Sequence, residues 1–240
     1  MNLLITASLL SELNLVLRFF KPTRIYQNKK IKIFKTHNDN ICIYFSITGV
    51  GEKNIHSFIN YIKSRNLLPS IWISIGYAGA INPSLKAGEL LLAHSVVLPE
   101  GKVLNVRVPD TLLEVLQELN FCSCYYTTAL MDRDEKLKLL GEKLEICSVD
   151  MESGPIAVFC NENKIPLCII RSISDTVYFK FPDISILKQG NELKFKLKSI
   201  NPFNLFRLFL LQRNMRRAGK SLFKIVKRII LYINYFSDNS

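Results

Sequence analysis

The stretch that decides the fold runs from Ser148 to Asp175 and reads SVDMESGPIAVFCNENKIPLCIIRSISD. One carboxylate, Glu152, follows an apolar run, and a second, Asp175, follows another. Between them Ile156, Val158, Phe159 and Cys160 recur at mixed three-to-four spacing, which predicts a helix over Ser153 to Asn163. Pro166 stops that helix, and Leu167 to Ile170 suits a short buried strand. A strand, helix, strand unit of this length predicts a parallel pair, with Glu152 and Asp175 at neighbouring strand ends on one edge of a sheet. Open α/β sheets bind ligands at that edge. The residues alone leave two readings open. The carboxylates, with Arg171 and the Ser-x-Ser-Asp turn, suit acid/base work; equally, Asp175 suits a cap or turn and Glu152 a pairing with Arg171.

Charge is unevenly distributed around this unit. The chain of 240 residues has a formal net charge of +12, from 32 Lys/Arg and 20 Asp/Glu. Thirteen of the basic residues but only three of the acidic ones lie from Lys180 onward, so the basic excess belongs to the tail. An apolar fraction of 48% supplies a sizeable core, and no run reaches the roughly 20 apolar residues needed to span a bilayer. The N-terminus, MNLLITASLLSELNLVL, lacks a basic n-region and is interrupted by Glu12, so it reads as a strand and helix rather than a signal peptide. The six cysteines fall mostly in apolar segments, as buried thiols in a reducing cytoplasm would. Cys122-Ser-Cys124 has the wrong spacing for a zinc knuckle, and none of the three histidines has a partner at ligand spacing; no metal or cofactor is expected.

Along the chain, Asn2 to Ala7 reads as a strand and Leu9 to Phe20 as a helix with Leu9, Leu13, Leu15, Val16 and Phe19 inward and Glu12 in its first turns. Ile25 to Lys35 and Ile41 to Ile47 read as an antiparallel pair, followed by Gly49-Val-Gly51 and a helix over Lys53 to Lys63. Ile71 to Ile75 is a buried strand ending in Gly76-Tyr77-Ala78-Gly79, where glycines would admit a ligand or close a tight turn. Glu89 to Val97 is a further strand. Asp110 to Leu119 is a helix capped by Asp110-Thr111, Cys122 to Met131 is extended, and Arg133 to Leu140 is helical. Phe203 to Phe236 reads as one or two basic amphipathic helices, with Leu208, Leu211, Met215, Ala218, Leu222, Ile225 and Ile229 on one face and Arg213, Arg217, Lys220, Lys224 and Lys227 on another.

VDMES followed by IPLCIIRSISD resembles the signature of the purine nucleoside phosphorylase and methylthioadenosine/S-adenosylhomocysteine nucleosidase superfamily. SITGVGEKN around Gly49 and Gly51, and ISIGYAGAINPSLKAGELLLA around Gly76 and Gly79, fit the same pattern. The likeness covers Asn2 to about Pro182. The VDMES form, the MDRDEKLKLL segment and the basic tail are most similar to the hopanoid-associated phosphorylase-like branch. The resemblance implies a three-layer αβα fold with a central twisted mixed β-sheet. A catalytic domain would occupy residues 1–182, and a basic helical extension, 183–240, would pack on the core or on a membrane surface.

The resemblance also implies roles. Asp175 would protonate the leaving base, oriented by Ser174, and Glu152 would hold the ribose hydroxyls with Met151 packed on the sugar. Glu12 would activate the attacking water, Arg171 would help hold the nucleophile, and Gly76, Tyr77, Leu130 and Met131 would line the substrate. The loop Thr6 to Ser11 lacks the glycines and arginines that clamp a phosphate dianion, and Tyr77 stands where the family carries serine, which favours hydrolysis over phosphorolysis. The expected reaction is release of adenine from a nucleoside, adenosylhopane first and the soluble thionucleosides second; a binding protein without turnover is the non-enzyme alternative. The expected setting is cytoplasmic, as a homo-oligomer, with the tail on an anionic membrane. Nucleic acid is disfavoured, because no stacking platform or known module accompanies the basic residues.

Overall fold

The computed structural model describes residues 1–38, 41–129, 141–142, 144–181, 184–189, 192–197 and 202–237. The expected contacts at Leu130 and Met131 and the helix expected over 133–140 lie outside these residues. In chain order the elements are β1 (Asn2–Ala7), α1 (Leu10–Phe20), β2 (Thr23–Gln27), β3 (Lys32–Asn38), β4 (Ile41–Ile47), α2 (Glu52–Ser64), β5 (Ile71–Ala80), β6 (Leu90–Val97) and β7 (Val103–Asn105). There follow α3 (Asp110–Leu116), β8 (Asn120–Tyr126), β9 (Ile146–Asp150), α4 (Ser153–Glu162), β10 (Leu167–Asp175), β11 (Ile184–Gln189), β12 (Glu192–Leu197) and α5 (Pro202–Ser237).

β1 lies between β4 and β5 and is parallel to both. The mixed sheet continues β10-β6-β8-β9-β5-β1-β4-β3-β2, and β10 also pairs with β5. Five strands, β5, β10, β6, β8 and β9, therefore close into a ring from which the rest of the sheet extends. Alternate residues face opposite layers. Leu3, Ile5 and Ile73 point toward Leu13 and Val16 of α1 and Leu222, Ile225 and Ile229 of α5; Leu4 and Trp72 point toward Phe58 and Ile62 of α2 and Phe159 and Cys160 of α4. Trp72 is fully buried, meets Phe58 and Phe159 edge-on, and donates its indole N–H to Thr6 Oγ1 at 2.8 Å. The result is helices on both faces of a twisted mixed sheet.

Four expectations are corrected. The strands that carry Glu152 and Asp175 are not parallel neighbours. β5 runs between them, parallel to β10 and antiparallel to β9, because the ring brings β9 back to the far end of β5. Ile25 to Lys35 is two strands: Asn28 Oδ1 accepts the N–H groups of Lys30 and Ile31 and turns the chain there. α3 begins after Pro109 with no side-chain cap. Phe19 is exposed and stacks edge-on with Phe20 and Phe223 at the seam between α1 and α5.

α5 is one helix of 36 residues, and its apolar face completes the core on the α1 side of the sheet. Among the described residues, no helix is long and apolar enough to cross a membrane. Leu222 is fully buried at this contact. Leu222→Ala is expected to cost about 2–5 kcal/mol in urea unfolding, as a cavity in a packed core does; an effect below about 0.5 kcal/mol would show that α5 is only loosely attached.

Candidate active site

The site begins with an interruption in the edge of β5. β1 pairs with β5 only as far as Ser74, and β9 takes over at Gly79. In the gap, the N–H of Tyr77 donates to Glu12 Oε1 at 2.8 Å. The other oxygen, Oε2, accepts the N–H of Leu9 at 2.7 Å, so Glu12 closes the first turn of α1 as a capping glutamate does. Gly76 lies behind the carboxylate, where a Cβ would sit 3.3 Å from Oε1. Glu12 is 5% exposed; burial pushes its carboxyl up to about 7, against the pull of the two N–H groups and the more distant Arg171.

Asp150 and Arg171 form the anchor beneath the site. Arg171 Nε is 2.5 Å from Asp150 Oδ2, both side chains are almost wholly buried, and the guanidinium also donates to the carbonyl and hydroxyl of Ser74. Asp150 Oδ1 accepts the N–H groups of Glu152 and Ser153 at 3.1 and 2.9 Å, capping the start of α4. Burial pushes the Asp150 carboxyl up, but Arg171 and these N–H groups outweigh it and hold it below the usual range. The sequence reading missed Asp150. Its signal was an aspartate three residues before the α4 start, but the capping role emerges only once the helix start is known. Arg171 pairs with Asp150 rather than with Glu152, and its guanidinium also donates to Ser74 and to the Ile170 carbonyl.

Glu152 is half-buried, and its Oε1 accepts the N–H of Gly51 at 2.7 Å. Gly51 has φ of 88°, a conformation that glycine alone adopts without strain, so the Gly-x-Gly element serves the carboxylate and not a dinucleotide. Burial, then the charges of Asp150 and Glu12, raise Glu152 to about 8. On β10, Ser174 Oγ lies 2.6 Å from Asp175 Oδ1 and 3.3 Å from the Ala78 carbonyl oxygen. Glu12, Met151, Glu152, Ser174, Asp175 and Tyr77 all border one cavity of about 150 Å³, whose apolar wall includes Phe181, Leu211 and Met215. Gly76 and Arg171 stand behind it. Among the described residues, the only buried Lys or Arg is Arg171, and no cluster of His, Cys, Asp or Glu could hold a metal.

This fold is that of an α/β protein with a carboxylate-lined cavity at the carboxyl ends of its strands, the edge at which open α/β sheets bind ligands. Residues 119–200 match the phosphorylase superfamily. A 5'-methylthioadenosine/S-adenosylhomocysteine nucleosidase of Buchnera aphidicola is 26% identical, over 85% of this chain and 99% of its own. Futalosine hydrolase of Helicobacter pylori superposes with a TM-score of 0.72 at 16% identity, covering 96% of this chain and 98% of that one. A nucleosidase of Colwellia psychrerythraea, solved in complex with adenine, superposes with a TM-score of 0.69 at 15% identity, covering 97% and 95%. The superfamily match thus spans about a third of the chain, and the likeness in fold extends over nearly all of it.

Because the folded pKa of Glu12 lies above its ordinary value of 4.5, the folded state holds this proton more tightly than the unfolded chain. That contribution is complete below about pH 4.5 and is lost as the pH rises through about 7; Glu152 acts in the same sense up to about 8. The urea midpoint is expected to be lower at pH 8 than at pH 5.5, with Glu12 accounting for roughly 2 kcal/mol of the difference. Asp150→Ala, which strands the Arg171 charge, is expected to cost roughly 3–5 kcal/mol at either pH.

Proposed function

We propose that the protein hydrolyses the N-glycosidic bond of an adenine nucleoside and releases adenine. The observation that carries this reading is the convergence of Glu12, Glu152 and Asp175, from three separate strand ends, on one cavity. The names of the curated relatives, all methylthioadenosine/S-adenosylhomocysteine nucleosidases, support the same chemistry.

Glycosidic cleavage needs a stabilised leaving base, a ribose held as it becomes oxocarbenium-like, and a nucleophile. Asp175 serves the base as general acid. Ser174 can suit either protonation state: it donates to the carboxylate, or it turns its proton to the Ala78 carbonyl and accepts from the acid. Glu152, aimed by Gly51, accepts the ribose hydroxyls, and Met151 packs beside it. Glu12, poised near neutrality, takes the proton of the attacking water. Arg171 positions Asp150 and, through it, the Glu152 backbone. No arginine or lysine borders the cavity among the described residues, which supports water over phosphate as the nucleophile.

On the finer choice of substrate, the apolar wall of Phe181, Leu211 and Met215 suits a greasy group on the ribose, and adenosylhopane combines that with adenine. α5 carries exposed Phe203, Phe206 and Phe209 and eight Lys or Arg residues without an acidic one, a composition that suits an anionic membrane surface.

Adenine release should be measured from methylthioadenosine, S-adenosylhomocysteine and adenosylhopane, with and without phosphate. Release from at least one, independent of phosphate, is expected; no release from any would leave only a binding role. Asp175→Asn is expected to lower kcat by roughly 100-fold or more while keeping the fold, and wild-type turnover in that variant would remove Asp175 from the mechanism. Since Glu12 must be ionised, kcat/KM should fall as the pH drops from 8 to 6, by up to about tenfold per unit below the midpoint.

A further inference from the structure

Tyr77 and Gly219 meet at a point that touches both supports of Glu12. The main-chain N–H of Tyr77 holds Glu12 Oε1, and its hydroxyl ends against α5 at Gly219, where the Ser11 carbonyl also lies. Ser11 immediately precedes Glu12 on α1. A Cβ on Gly219 would lie 2.9 Å from the Tyr77 hydroxyl oxygen and 3.3 Å from the Ser11 carbonyl oxygen. Glycine inside a helix costs about 1 kcal/mol relative to alanine, so its place in the middle of this 36-residue helix calls for a packing reason. The contact is that reason. Leu211, Met215 and Gly219 follow at intervals of four on one face of α5, so the face that walls the cavity also seats Tyr77.

We propose that Gly219 and Tyr77 are positioning residues through which α5 fixes the carboxylate of Glu12. The helix bears on the tyrosine hydroxyl and on the α1 backbone, and these set the distance between Glu12 and the N–H that holds it. Nothing in this contact touches substrate. Its catalytic consequence rests on the reading of Glu12 as the base, but its effect on the Glu12 carboxyl does not.

The test reads the carboxyl directly. Proteins labelled with glutamate ¹³C at the side-chain carboxyl are titrated by NMR, with the Glu12 signal assigned through Glu12→Gln. A loosened Tyr77 N–H bond stabilises the carboxylate less, so Gly219→Ala is expected to raise the Glu12 midpoint by at least about half a unit. It is expected to lower kcat for adenine release by roughly tenfold. Tyr77→Phe, which removes the hydroxyl, is expected to cost about threefold, and the double variant no more than Tyr77→Phe alone. Additive effects in the double variant, or an unmoved midpoint in Gly219→Ala, would overturn the proposal. Should Gly219→Ala fail to fold, the titration of Tyr77→Phe decides, since an unchanged midpoint there also refutes it. If the midpoints move as expected but no variant, wild type included, releases adenine, the functional reading fails and the positioning device stands.

Discussion

The buried pair of Asp150 and Arg171 is the constraint on which the site depends. A guanidinium removed from water is tolerated only when its charge is matched and its donors are filled. Here Asp150 matches the charge, and Ser74 on β5 takes the remaining fork. One interaction therefore ties β9, β10 and β5 together at the point where the ring of strands closes. Because Asp150 also caps α4, it fixes where the chain turns into that helix, and hence where Glu152 stands.

The same pairing explains the electrostatics of the cavity. Arg171 is committed to Asp150, so its field only partly offsets the other carboxylates. Glu12 and Glu152 are held by backbone N–H groups instead, which orient them without supplying a full positive charge. Both consequently keep their protons into the neutral range. A group with that property suits a general base near neutrality, and it also makes the folded protein less stable where that base is ionised. The cost of charged groups is concentrated where the chemistry needs them.

α5 joins these two themes. One face supplies Leu222, Ile225 and Ile229 to the core, and the same face, nearer its start, supplies Leu211 and Met215 to the cavity wall. The helix also carries eight of the basic residues that give the chain its positive charge. The long helix is thus a structural member first.

Local sequence patterns determined the apolar runs, the alternation along β1, the crossover helix between Glu152 and Asp175 and the single inward stripe of α5, since each reflects periodic burial along a short segment. The VDMES and RSISD motifs drew attention to Glu152 and Asp175, and the family resemblance, not a local motif, to Glu12. What local pattern could not contain was the partner of each group. Arg171 could have paired with Glu152 or with a ligand, and only the closing of the ring brings Asp150 to it. Gly51 and Gly219 read as a turn and a weak point in a helix; their purpose appears only when Glu152 and Tyr77 approach from positions distant in the chain. Tertiary structure alone decided those pairings, because burial and hydrogen bonding between distant segments are properties of the assembled core and not of any one segment.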